Sequence, residues 1–423
     1  MKLNKWTLGL AAIGLVSLSP GLLAQSTNAP APAAGPAPAP VMTALSATTI
    51  SGYVDTSMVW NPGTGNANPA PYAFNAGKQD GFNVNLVDLK IAKPLEEGQW
   101  SAGYTVELMY GPDAAIIDGG SAPIRQAYVT VRTPVGNGID WQIGQWDNII
   151  GYEVADSYKD PNWTRSYAWS MEPVEHVGIL ASYKLCDAAS LQVGVANELS
   201  TGFVQNNRNI SGTPPGGPFS TIESKKAIVS LLTLTAPDSW GSWKGSAFYV
   251  GLDYGPGNAF SHGTLGVGGG VPAATSHIVD KTHLYFGATV NTPVKDLTLG
   301  AAWDSVNNMD MVAGGVEGYC MTYAGYVSYK ITDKLTINGR GEYVHGSAWD
   351  LLFANNAAFA PQEDKVFALT GTLQYDLWAN VISRLEVRWD ASADGSPHFG
   401  GTTPGTPTKH NEVMVAANII YKF

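Results

Sequence analysis

Residues 381–391 read Val-Ile-Ser-Arg-Leu-Glu-Val-Arg-Trp-Asp-Ala. Arg384, Glu386, Arg388 and Asp390 fall on every second position. In a strand that period puts four charges of alternating sign on one face and leaves the other apolar. Arg340 and Glu342 repeat the arrangement within 333–346. The segment 147–174 offers a second set, Glu153, Asp156 and Asp160, with Arg165 among its aromatics. Carboxylates of that segment set against Arg340, Arg384 and Arg388 would create a transverse field. Across a water-filled passage such a field orients polar solutes and sets ion preference. On this reading Arg384→Glu shifts ion preference toward cations. The same arginines can also pair with Glu342, Glu386 and Asp390 as a ladder that stabilises a wall, and the two roles are compatible.

Other chemistry has less support. Seven histidines are scattered along the chain, and neither a G-x-S-x-G nor an H-E-x-x-H pattern occurs. The Gly-rich stretch 266–270 has no helix behind it, so it is not a phosphate cradle. Asp156 and Asp160 lack the spacing of an EF-hand loop and read as part of a solvated acidic loop. No catalytic residue, cofactor or metal site is expected. With a net charge of −11 and no basic stripe, nucleic acid is not an expected partner.

The elements that would position these charges are strands. From residue 48 onward about sixteen alternating segments follow one another, and the gaps between them alternate in length. Long gaps fall at 61–81, 111–123, 147–174, 203–221, 255–277, 307–315, 347–362 and 392–410. Between them come tight turns such as 135–138, 186–189, 237–240, 293–294 and 379–380. A soluble sandwich has no reason for that regularity. A membrane barrel does, with short periplasmic turns and long extracellular loops. The expected fold is all-β, a transmembrane antiparallel up-and-down barrel of about 16 strands spanning 48–423. The segments 222–236 and 241–254 alternate poorly. The gap 147–174, the longest, is the candidate constriction loop.

Composition agrees. Only 14% of the 423 residues are charged, yet mean hydropathy is −0.04. A wall with lipid outside and water inside averages that way. The final strand, 411–423, has an apolar face of Val413, Val415, Ala417, Ile419, Tyr421 and Phe423. An open sheet edge in hydrocarbon costs several kcal/mol per backbone group, so this strand is expected to pair with 48–60.

The beginning of the chain reads as an export signal. Lys2 and Lys5 precede a short apolar core, Trp6 to Leu18, and cleavage is expected after Ala24. Residues 25–47 form an Ala/Pro-rich periplasmic linker. Cys186 falls at a turn and Cys320 near the other end of a strand, too far apart for a disulfide.

The stretch 144–183 carries a resemblance. Ile150-Gly151-Tyr152-Glu153, Asp160-Pro161-Asn162, Ser166-Tyr167 and His176-Val177-Gly178 resemble the OmpL-like β-barrel porins of the porin-2 group. Asp160 and Thr164 depart from that pattern. The resemblance implies a passive channel in the bacterial outer membrane for small hydrophilic solutes or ions. Its expected partners are membrane lipid, those solutes and the barrel assembly machinery, which would read the terminal Phe423. Both termini are expected in the periplasm, and the oligomer is a homotrimer or a monomer. A barrel enzyme, an adhesin without an open pore and a soluble β-sandwich are the competing readings; membrane conductance separates a porin from the barrels without a pore.

Overall fold

The computed structural model describes residues 47–63, 65–70, 78, 80–114, 124–199, 225–258, 278–310, 317–346, 364–403 and 406–423. The expected signal 1–24 and nearly all of the linker lie outside these residues. Sixteen strands follow in order: β1 (Thr49–Trp60), β2 (Gly81–Lys93), β3 (Ser101–Tyr110), β4 (Ile124–Thr133), β5 (Ile139–Asp147), β6 (Glu175–Cys186), β7 (Ala189–Ala196) and β8 (Ala227–Thr235). The second half comprises β9 (Ala247–Asn258), β10 (Ile278–Asn291), β11 (Leu297–Asp310), β12 (Glu317–Lys330), β13 (Leu335–Gly346), β14 (Asp364–Trp378), β15 (Val381–Ser392) and β16 (Asn411–Lys422).

Every strand pairs with its sequence neighbours, and β1 pairs with β16, so the sheet is a closed barrel. Closure extends to the last residue: Gly52 and Phe423 exchange both backbone hydrogen bonds, each at 3.0 Å. Among the described strands no sheet edge is left for lipid to meet, which is what a bilayer demands.

Side chains sort by parity as the alternation predicts. On β15, Arg384, Glu386, Arg388 and Asp390 are buried inward while Leu385 and Val387 lie exposed on the outside. On β16, Glu412, Met414, Ala416, Asn418 and Ile420 face in, and Ile419, Tyr421 and Phe423 face out. The outer face also carries Trp100, 71% exposed, and Phe82, 88% exposed, exposures a soluble protein would not tolerate in number. Leu385 makes a direct test. Leu385→Arg sets a cation on the lipid side, a change that costs about 2–4 kcal/mol near the membrane midplane. Its detergent-refolded yield and unfolding midpoint are expected to drop well below those of Leu385→Phe.

Several strand ends depart from expectation: β8 begins at Ala227 rather than 222, and β9 and β11 run on to Asn258 and Asp310, into the gaps expected from 255 and 307. β7 ends at Ala196 rather than near 202. β9 begins at Ala247 rather than 241, because 3-10 turns over Asp238–Trp243 lengthen the connection expected at 237–240. The poor alternation near 222–254 also has a cause. The inner face of β8 is itself apolar, with Val229 and Leu231 buried under the loop between β5 and β6. Apolar residues on both faces erase the two-residue signature. Cys186 and Cys320 are not joined to one another; Cys186 ends β6 at the turn rim, and Cys320 lies toward the opposite rim of β12.

Candidate functional site

A sixteen-stranded barrel is wide enough to enclose water unless something fills it. Here the β5–β6 connection, 148–174, turns inward and runs across the lumen. Nearly all of its residues from Glu153 onward are buried. Its seat has an apolar part and a polar part.

The apolar part lies against β6–β12. Ile149 and Ile150 enter a cluster with Leu180, Val229, Leu231, Tyr249 and Tyr285. Gly251 makes room for them: a Cβ there would lie 2.4 Å from Ile150 Cγ2. Tyr152 then stacks on Tyr326 of β12, with ring centroids 3.9 Å apart. Gly300 gives Tyr152 its space, since a Cβ there would meet the hydroxyl at 2.0 Å.

The polar part lies against β13–β15, and here the residues singled out by sequence come together. Arg340 donates to Glu153 at 2.7 Å and to Glu342 at 2.6 Å. It also donates to the carbonyls of Thr164 at 2.7 Å and Arg165 at 3.1 Å. Arg384 donates to the carbonyls of Ser157 at 2.8 Å and Asp160 at 2.9 Å. Arg388 donates to the Arg165 carbonyl at 2.6 Å and pairs with Asp390 at 2.9 Å. Glu386 works the other way. Its carboxylate accepts from the backbone N–H groups of Trp163 at 2.6 Å and Thr164 at 2.9 Å, and from the Thr164 and Thr372 hydroxyls. Glu342 accepts from the Tyr167 N–H at 2.7 Å. Asp160 pairs with Arg165 and accepts from the Val154 N–H at 2.9 Å.

This geometry changes two expectations. Of the charges expected to face one another across water, only Arg340 and Glu153 are in direct contact; Arg384 and Arg388 reach loop carbonyls, Asp160 pairs with Arg165 and Asp156 with Lys159, and the three arginines are each no more than 3% exposed. Alternating charges on the wall therefore bind the loop's backbone and carboxylates. Asp156 and Asp160 are buried, not solvated, because the loop that carries them runs inside the barrel. Burial alone would raise Asp156, but Lys159, Lys90 and Arg125 outweigh it and hold the carboxyl below the usual carboxylate range. Glu172 is the opposite case: burial, with Asp304, Glu153 and Asp253 nearby, pushes it well above that range.

Several residues of the site were not singled out by sequence. Asp55 accepts from Ser157 and Asn85, both at 2.6 Å, and from Asn418 at 2.5 Å. Thr164, a departure from the resembling family's pattern, holds Glu386 at 2.6 Å. Inward parity on β1 would have marked Asp55. No local signal marks Thr164, whose partner lies more than 200 residues away.

The profile of the family described as "Putative beta-barrel porin-2, OmpL-like" matches residues 47–423, the whole barrel. The chain belongs to that porin family. No curated protein matches it. Solved structures match over nearly the whole barrel. The anion-selective porin from Comamonas acidovorans aligns with TM-score 0.56 at 12% identity, covering 89% of this chain and 99% of that one. OprB of Pseudomonas putida aligns with TM-score 0.55 at 13% identity, covering 91% and 96%. Salmonella typhi OmpF, in a complex with daunomycin, gives TM-score 0.53 at 13% identity, covering 89% and 97%. At such identities the likeness is one of fold. This porin is thus a pore-forming outer-membrane barrel.

Water reaches part of its inner face. Thr130, Arg132, Asp140, Gln142, Ser182 and Ser190 on β4–β7 point inward and are only half-buried. Arg132 and Asp140 form a bidentate pair there, both bonds at 2.6 Å. Beside the loop, Lys90, Asp147 and Lys159 keep 21%, 30% and 25% of their side chains exposed. A partly exposed polar strip on β4–β7 thus lies beside a firmly seated inner loop.

Proposed function

We propose that this porin passes small hydrophilic solutes and ions by passive diffusion, through a lumen narrowed by the inner loop 148–174. The observation that carries the reading is the two-sided seat of that loop. Tyr and Ile side chains hold it to β6–β12, and arginines hold it to β13–β15, while a polar strip on β4–β7 stays wet. In this account Glu153, Asp160, Arg165, Arg340, Glu342, Arg384, Glu386 and Arg388 fix the shape of the constriction, and Asp156 lies on its β2–β3 side. The even strand number puts the start of β1 and the end of β16 at the same turn rim, which supports a periplasmic location for both termini. The terminal Phe423, held in the sheet beside Gly52, is the feature that assembly machinery would read.

Liposomes carrying the protein are expected to swell in isotonic small sugars, with rates that fall steeply as solute size rises. Liposomes that stay shut to every solute would favour an adhesin or a barrel enzyme. Lys159, on the exposed side of the loop, is expected to border the water path. Lys159→Glu reverses a charge there, so the zero-current potential in a salt gradient should move toward cation preference. An unchanged potential would remove Lys159 from the path.

A further inference from the structure

The loop meets two walls in opposite electrostatic ways. Against β13–β15 its acids and carbonyls meet arginines. Against β2 and β3 its Asp156 meets two further carboxylates, Asp88 and Glu107. One oxygen from each of the three lies within 4.8 Å of the others, and all three residues are buried. Like charges this close are repulsive unless a cation or protons sit among them.

The neighbouring cations do not balance the group. Glu107 accepts from Lys90 at 2.7 Å and from Gln126 at 2.8 Å, and lies 3.3 Å from Arg125. Asp156 takes Lys159 at 2.6 Å. Arg125 is shared with a fourth carboxylate, Asp147, at 2.7 Å. Lys90, Arg125 and Lys159 thus serve Glu107, Asp156 and Asp147. Asp88, 3% exposed, keeps an oxygen with no hydrogen-bond partner.

A separate group points to the same place. Tyr53 stands directly opposite Asp88 in the β1–β2 ladder. It is fully buried and its hydroxyl has no hydrogen-bond partner. The charged groups that act on it are Asp156, Asp88, Asp55 and Arg165. A buried hydroxyl and a buried carboxylate oxygen, both unsatisfied and both beside this cluster, mark a position where something bonded to oxygen belongs.

We propose that Asp88, Glu107 and Asp156 bind one calcium ion, with the Tyr53 hydroxyl beside it, and that the ion fastens the inner loop to β2 and β3. The donor set is all oxygen, which suits a hard cation and not zinc or copper. Ligand count then favours calcium. Three buried carboxylates suit an ion that takes six to eight oxygens in flexible geometry, whereas magnesium sheds water reluctantly and usually takes only one or two carboxylates. The ion does on this wall what Arg340, Arg384 and Arg388 do on the other, and the loop is held at both sides of the lumen. Two positive charges also offset the carboxylate left without a cation.

The test uses the full chain refolded in detergent free of lipopolysaccharide and stripped with EDTA. Titration calorimetry with calcium chloride is expected to show saturable binding of one ion per chain, much tighter than magnesium, and calcium should raise the unfolding midpoint. Terbium is expected to show tyrosine-sensitised emission that calcium displaces. Asp88→Asn and Asp156→Asn should each abolish the binding and the midpoint shift. Asp88→Asn removes an unsatisfied charge, so its metal-free form should be no less stable than metal-free wild type. The proposal is overturned if folded wild type takes up no calcium at millimolar concentration, if magnesium binds equally well, or if both asparagine variants still bind. The wild-type titration and the terbium signal decide the matter even if a variant does not refold.

Discussion

Arg340→Ala is expected to unseat the inner loop and raise the single-channel conductance several-fold. Arg340 is 2% exposed and satisfies Glu153, Glu342 and the carbonyls of Thr164 and Arg165. Its removal strands two buried carboxylates, a loss of about 3–5 kcal/mol when one partner of a buried pair is deleted. The sheet ladder of β12–β14 does not pass through the guanidinium, so the barrel should remain closed while the loop comes free. Arg340→Lys restores the charge but not the fork of donors, and should fall between the two. Recordings that match wild type for Arg340→Ala would show that this arginine does not hold the constriction.

Ile150→Asp attacks the other side of the seat. Ile150 is 4% exposed in a cluster with Val229, Leu231, Tyr249 and Tyr285. An unpaired carboxylate there must lose its hydration, which costs several kcal/mol unless the loop lifts away and returns it to water. Lifting is the cheaper course. The expected result is protease cleavage within 148–174 of the folded, detergent-solubilised barrel, together with a larger and noisier conductance. Ile150→Val, which removes one methylene at about 0.5–1.5 kcal/mol, should leave both near wild type. Resistance of Ile150→Asp to proteolysis would show that the apolar wall is dispensable for seating.

The barrel was legible because each strand carries its own two-residue code. Arg384, Glu386, Arg388 and Asp390 announce their face with no knowledge of any other strand. The code fails at β8, where Val229 and Leu231 are inward yet apolar, because what covers them is Ile149 and Ile150 from a distant loop. The site was legible in its residue types and not in its contacts. Opposite charges on 153–165 and 340–390 are plain in the sequence, and that they should meet follows from a loop in the lumen. That they touch, with Arg340 taking Thr164 and Arg165 carbonyls as well as Glu153, depends on the path of the backbone, which no spacing encodes. Asp88, Glu107 and Asp156 were hidden for the same reason: only the loop's return to β2 and β3 brings the third carboxylate to the first two.

The most direct measurement of a water-filled barrel narrowed by its own inner loop compares two proteins in planar bilayers, the wild type and a chain whose residues 154–171 are replaced by a short Gly-Ser bridge. The wild type is predicted to give stepwise, open, ohmic channels, and the bridged chain steps several-fold larger. A wild type that never conducts, or two proteins with equal steps, would contradict the account.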